Sequence, residues 1–362
     1  MVAVQHGLHD PRAERDSCGI GFVADVQGRP SRAIVEALLE GLRRVGHRGA
    51  VAADGRTGDG AGVLLPIPAA LVPGPWCGLA MVFLQDESVR TAIEGACQAE
   101  GIETGGWRPV PIDPGALGAR ARSTAPRIEQ LILLRPYGAT LAEAENRAYR
   151  ARRRAEQAGG AYIASLSFRT VVYKALCAAS ELATFYPDLR HPGLAVPFGI
   201  FHQRFSTNTE PSWERAQPFR LLCHNGEINT IAGNVNWMRA REPGLIDLDT
   251  SDSGMLDNAV EGLVHGGRDV RHALAMLIPE APDTRSARDP VAAFYRYHAG
   301  LVEPWDGPAA VVFTDGRVVG AALDRNGLRP LRYAVTDDGL VACASEAGAI
   351  PLPEGARVRR GK

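Results

Sequence analysis

Strand-like segments at both ends of this 362-residue chain, helical segments between them and no βαβ alternation predict a layered α+β protein. At residue 18 polar sequence gives way to CGIGFVADV, an apolar, glycine-bearing strand pattern that ends at the turn QGRP. Ser31 then caps a helix through AIVEALLEGLRRV, where Ala33, Val35, Leu38, Leu39 and Leu42 recur near helical spacing. The glycine-rich run HRGAVAADGRTGDGAG leads into the strand VLLPI, and AMVFL is a further strand. SVRTAIEGACQAEG reads as a helix stopped by Gly101, and IEQLILLRPYG as a strand running into a turn. TLAEAENRAYRARRRAEQAGG is a long helix, with Thr140 and Glu143 spaced for a capping box. Its arginines interleave with Glu143, Glu145 and Glu156, the pattern of a solvated mixed-charge face. SLSFRTVVYKA and LCAASELATFY continue as strand, then helix. AAVVFTDG, RVVGAAL, LRYAVTDDG and LVACASE close the chain as antiparallel strands with tight Asp-Gly turns. No repeat and no low-complexity linker divides this sequence, so one domain is expected.

Composition narrows the function. Hydrophobic residues make up 45% and charged residues 22%, as in globular proteins that bury a core. The net charge of −1, from 40 basic and 41 acidic residues, offers no electrostatic footprint for nucleic acid. Six cysteines lie at least twenty residues apart without a CxxC pair, against a zinc site and against a secreted disulfide scaffold. The N-terminus lacks the apolar core of a signal peptide. Residues 60–84 carry no charge, but Pro66, Pro68, Pro73 and Pro75 favour two buried strands joined by a loop over a membrane span. A cytoplasmic protein without nucleic-acid or membrane partners is expected. GDGAG (Gly58, Gly60, Gly62) lacks dinucleotide-binding spacing, and no P-loop, HExxH or GxSxG motif occurs.

Three segments carry chemistry-bearing residues. Cys18, opening an apolar strand, is either a small core residue or a nucleophile. Cleavage before it would place a thiol and a free α-amine on one residue, and an amine of pKa ~7.7–8.0 suits a general base near neutral pH. In residues 201–242, Asn225-Gly226 is either a plain hairpin turn or an oxyanion hole built from a side-chain amide and a backbone N–H. Arg204, after the strand GIFHQ, is either a surface charge or a bidentate clamp for a carboxylate. Asp252 precedes a helix in TSDSGMLDNAVEGL, where it serves as an N-cap or holds an ammonium group. Thiol, oxyanion donors, carboxylate clamp and ammonium acceptor together describe a site for glutamine.

These residues resemble the class II (N-terminal nucleophile) glutamine amidotransferases, and within them the N-terminal glutaminase domain of glutamate synthase large subunits. LHDPRAERDSCGIGFVAD, GHRGAVAADGRTGDGAG, residues 201–242 with QRFSTNT and HNGEINT, SDSGMLDNAVEGLVHGGRDVRHALAMLIPEA and DRNGLRP carry the resemblance over nearly the whole length. It implies a four-layer αββα fold, a propeptide of residues 1–17 and a glutaminase domain of residues 18–362. It also implies that Cys18 is the nucleophile, that Asn225 and Gly226 form the oxyanion hole, and that Arg204 and Asp252 bind the glutamine carboxylate and amine. Thr207 falls in the same binding loop, and Arg48 orients the cysteine backbone. No cofactor is expected on this chain; FMN and an iron-sulfur cluster belong to synthase domains that follow in the family and are absent here. The expected partners are L-glutamine and a synthase domain or subunit that receives ammonia for glutamate synthesis from 2-oxoglutarate. A catalytically silent docking module and another class II amidotransferase are the competing readings, and the presence of every site residue favours an active glutaminase.

Overall fold

The computed structural model describes residues 18–204, 211–281 and 289–362. β1 (Gly19–Asp25) leads through α1 (Arg32–Arg44) to β2 (Ala61–Pro66) and β3 (Cys77–Leu84). α2 (Val89–Ala99), β4 (Glu103–Pro109), the short α3 (Ala119–Ser123) and β5 (Arg127–Leu134) precede the long α4 (Leu141–Ala158). β6 (Ala161–Ser167), β7 (Thr170–Ala175), α5 (Leu182–Phe185), β8 (Phe198–Gln203) and β9 (Leu222–Gly226) follow. Next come α6 (Ile231–Arg241), α7 (Asp252–His265), α8 (Val270–Leu277) and α9 (Pro290–Ala299). The chain ends in β10 (Ala309–Thr314), β11 (Val319–Leu323), β12 (Arg332–Thr336), β13 (Leu340–Ala344) and β14 (Val358–Gly361).

The strands form a seven-stranded sheet, β14-β12-β13-β1-β8-β2-β7, a three-stranded sheet, β11-β10-β9, and a four-stranded sheet, β4-β5-β3-β6. Every pairing between these strands is antiparallel. Side-chain alternation along the strands stacks the layers. On β3, Leu79, Met81 and Phe83 join the core shared with the seven-stranded sheet. The intervening Ala80, Val82 and Leu84 pack instead with the alanine stripe of α4 and with Ile93 and Cys97 of α2. β10 divides likewise: Ala310 and Val312 face the shared core, while Ala309, Val311 and Phe313 pack with α7 and α8. α1 covers β1 and β8 from the opposite side. Helix, sheet, paired smaller sheets and helices give the expected αββα order.

Local signals account for several element ends. Ser31 accepts the Ile34 N–H at the start of α1, and Thr140 and Glu143 form the predicted capping box of α4. Three expectations need correction. Asp252 does not cap α7; Ser251 does, accepting the Gly254 N–H, and Asp252 is the first helical residue. Asn225-Gly226 is not a hairpin turn but the end of a paired strand, opposite Ala310 and Ala309. The α4 arginines are not all solvated, because Arg152 is buried between Glu156 and Glu261, 2.8 and 2.6 Å away. The closing strands pair antiparallel as expected, β10 with β11 in one sheet and β12 with β13 in another. All six cysteines are buried, and none is in a disulfide. No helix among the described residues is long and apolar enough to cross a membrane.

Candidate active site

β1 is a central strand of the large sheet, between β13 and β8, so the residue that enters it is held from both sides. Gly19 lies opposite Gln203, the last residue of β8, and Ser345 after β13 donates its N–H to the Ile20 carbonyl at 2.9 Å. Cys18 therefore stands at the mouth of the sheet, 4% exposed. Its backbone N–H donates to Asn225 Oδ1 at 3.2 Å, across 207 residues of sequence. Burial pushes the Cys18 thiol up to about 12; Arg204 and Arg329 act against that rise, and Asp59 and Asp252 add to it. Such a thiol does not ionise unaided at neutral pH, so a nucleophile here needs a proton acceptor beside it.

Asn225 and Gly226 end β9 alongside Cys18. Gly226 has φ 121°, and a Cβ on it would lie 1.7 Å from the Pro308 carbonyl oxygen. The glycine is thus demanded by the 306–308 loop behind it as well as by any ligand in front. With its oxygen facing Cys18, the Asn225 side chain has Nδ2 as its donor end, next in sequence to the Gly226 N–H.

Arg204 follows β8 with φ 92°, the one left-handed non-glycine residue among those described. Its backbone N–H donates to the Gly60 carbonyl at 2.7 Å, and its Nε lies 3.2 Å from Asp59 Oδ2. Asp59 is buried; it accepts the Ala50 N–H at 3.0 Å on Oδ2 and Gln203 Nε2–H at 3.2 Å on Oδ1. Gly49 allows this close packing, since a Cβ there would sit 2.0 Å from Gln203 Nε2. Burial raises the Asp59 carboxyl to about 6, opposed by the Ala50 N–H and by Arg204.

Asp252 is anchored to the turn that follows the Asn225-Gly226 pair. Its Oδ2 accepts the Ile228 N–H at 3.1 Å and lies 3.5 Å from His224 Nε2, and its Oδ1 accepts the Ser253 N–H at 2.7 Å. Ser253 Oγ is 2.8 Å from His224 Nε2 and accepts Gln217 Nε2–H at 3.0 Å. Arg48 donates Nε–H to Glu346 at 2.7 Å, one residue beyond the serine that pairs with Ile20. The structure thus brings Cys18, Asn225, Gly226, Arg204 and Asp252 into one cluster, with Arg48 on the flank beside β13. Thr207 lies outside the described residues. Asp59, Gln203, His224, Ser253 and Glu346 escaped the sequence reading. Asp59 was hidden inside a glycine run that matches no phosphate motif, and the others look like ordinary strand or cap residues until the fold surrounds the site with them. No group of three or more His, Cys, Asp or Glu among the described residues is placed to hold a metal ion.

A buried thiol at the mouth of the sheet, an amide-glycine pair and opposed cationic and anionic side chains thus lie in one cluster. The chain belongs to the class-II glutamine amidotransferases, whose family model matches residues 18–362. Ferredoxin-dependent glutamate synthase 2 of Synechocystis sp. is 42% identical, over 96% of this chain and 25% of its own length. The large chain of NADPH glutamate synthase from Azospirillum brasilense is 40% identical over 98% of this chain and 26% of its length. Its counterpart from Bacillus subtilis is 41% identical over 96% and 25%. The chain therefore spans about a quarter of the length of the curated relatives it matches.

Proposed function

We propose that this chain is the glutamine-hydrolysing domain of a glutamate synthase, with Cys18 as its nucleophile after removal of residues 1–17. The contact between Cys18 N and Asn225 Oδ1 carries the reading, because it sets thiol, backbone nitrogen and amide side by side in a buried site. The family match beginning at Cys18 supports the processing step. Once exposed, the Cys18 α-amine takes the thiol proton, directly or through one water, and sulfur bonds to the glutamine δ-carbonyl carbon. The oxyanion that forms faces Asn225 Nδ2 and the Gly226 N–H, donors fixed in place before the charge develops. Collapse breaks the C–N bond, and the ammonium proton returns to the leaving nitrogen, releasing ammonia. Water then cleaves the γ-glutamyl thioester, which frees glutamate and restores the thiol.

Substrate binding follows from the same cluster. Arg204 clamps the glutamine α-carboxylate, Asp252 takes the α-ammonium, and Thr207 joins them from the same loop. Arg48, tied to Glu346, supports the backbone at Cys18. Ammonia passes to a synthase domain or subunit for addition to 2-oxoglutarate, with FMN and iron-sulfur chemistry assigned to that partner and no cofactor to this chain. Six buried cysteines outside any disulfide support a cytoplasmic setting. The reading is tested by intact mass and ammonia release from glutamine. Loss of residues 1–17 with turnover that vanishes in Cys18→Ala is expected; turnover persisting in that variant would exclude Cys18 as nucleophile.

A further inference from the structure

Arg204 is in an unusual position for a substrate-binding arginine. Its backbone is left-handed, a conformation that a side-chain-bearing residue keeps only where its surroundings impose it. Two consecutive residues impose it here. Gly60 takes the Arg204 backbone N–H, and the Asp59 carboxylate lies 3.2 Å from Nε as an ion pair, so one dipeptide contacts both ends of the residue. Both partners of the ion pair are buried, with Arg204 8% and Asp59 5% exposed. A buried guanidinium without a counter-ion is costly, and its orientation is set by whatever carboxylate it meets. With the Nε side turned to Asp59, an incoming carboxylate meets a guanidinium whose orientation is already fixed.

We propose that Asp59 is a positioning residue for substrate recognition, holding Arg204 in the orientation that receives the α-carboxylate of the substrate. This rests on the reading of Arg204 as the carboxylate ligand of a glutaminase. Asp59 works through Arg204 and has no part in the bond-making steps, so its loss falls on binding and on selectivity for the carboxylate.

Asp59→Asn isolates the charge. The asparagine oxygen can keep the Ala50 N–H. Its Nδ2 then faces Gln203, whose Oε1 is buried and has no donor among the described residues. A turn of the Gln203 amide lets that oxygen accept the new N–H, so the loop retains its hydrogen bonds. We expect KM for glutamine to rise by about tenfold or more while kcat stays within about threefold, as for removal of one member of a buried charge pair. The preference for glutamine over its α-carboxamide, measured as a ratio of kcat/KM values, should fall by a similar factor. A residue that merely pins the loop would lower activity on both substrates alike and leave that ratio unchanged.

Wild-type protein supplies a second test that needs no variant. Among the described residues, the charged or titratable groups facing Asp59 are Arg204 after β8 and Cys18 just before β1, with Gln203 and the Ala50 N–H as neutral dipoles. Protonation of Asp59 removes its charge from beside the Arg204 guanidinium, so KM should climb as pH falls through about 6. Asp59→Asn should lack that acid limb. Active wild type whose KM is flat across this range, or an Asp59→Asn variant with unaltered KM and selectivity, overturns the proposal alone. Processed wild type that releases no ammonia from glutamine overturns the glutaminase reading, and this proposal with it.

Discussion

Asn225 accepts the Cys18 backbone N–H on its oxygen, and in the proposed mechanism its nitrogen is the donor that meets the developing oxyanion. Asn225→Ala should lower kcat for glutamine by ~10²–10³-fold with a smaller change in KM, as for loss of an oxyanion donor. Steady-state ammonia release checks this, and an unchanged kcat would reduce Asn225 to a strand residue. Gly226→Ala has a different expected outcome. The added methyl would meet the Pro308 carbonyl at 1.7 Å in a left-handed backbone, so the melting temperature should fall along with activity. At this scale the sequence pointed to residues that the fold brings together: Cys18, Arg204, Asn225 and Asp252. It was uninformative where a common residue acquires its role from neighbours distant in sequence. Asp59 meets Arg204 only because β2 and β8 pair, and Ser251 takes the cap because the backbone turns one residue earlier than Asp252 suggests.

Helix signals were the most legible of the elements, since capping and 3.6-residue periodicity are local. α4 shows both sides of this. Its capping box reads directly from Thr140 and Glu143, and Thr140→Ala should cost about 1 kcal/mol, seen as a lower midpoint in denaturant. The burial of Arg152 was invisible, because it depends on Glu261 of α7, more than a hundred residues away. Removing Arg152 leaves Glu261 without its buried counter-ion, so Arg152→Ala should destabilise by about 3–5 kcal/mol, and Arg152→Ala with Glu261→Gln by less. β4 was missed for another reason. ETGGWRP carries two glycines and a proline, yet it pairs with β5 alone at the edge of the four-stranded sheet, with an irregularity between Thr104 and Gly106. Edge strands tolerate such residues, and their pattern is correspondingly faint.

Across the whole molecule, the partition of strands between sheets was the least legible property. Tight Asp-Gly turns correctly joined β10 to β11 and β12 to β13, but nothing local assigns the first hairpin to β9 and the second to β1. Lys174 lies where the seven-stranded and four-stranded sheets meet. It is fully buried in β7 of the large sheet, donating to Tyr162 Oη of β6 at 2.8 Å and to the Glu214 carbonyl at 2.7 Å, between the rings of Tyr162 and Phe219. Burial holds its ammonium well below the usual lysine pKa. The unfolded chain therefore binds the extra proton between that lowered value and ~10.4, and stability from this group declines as pH falls through the window. Lys174→Met should remove that dependence. Its stability relative to wild type should be greatest at neutral pH and shrink as pH approaches 10, as measured by denaturant melts at several pH values.

The burial of all six cysteines makes the protein its own probe of access. A bulky charged disulfide reagent should find almost no thiol in the folded chain and six once it unfolds, so colour development would count unfolded molecules. A small electrophile shaped like glutamine would be admitted by recognition and not by exposure, and should mark one sulfur alone. The ratio of the two labelling rates then distinguishes an assembled site from a loosened fold, in a single sample and without an assay for the product.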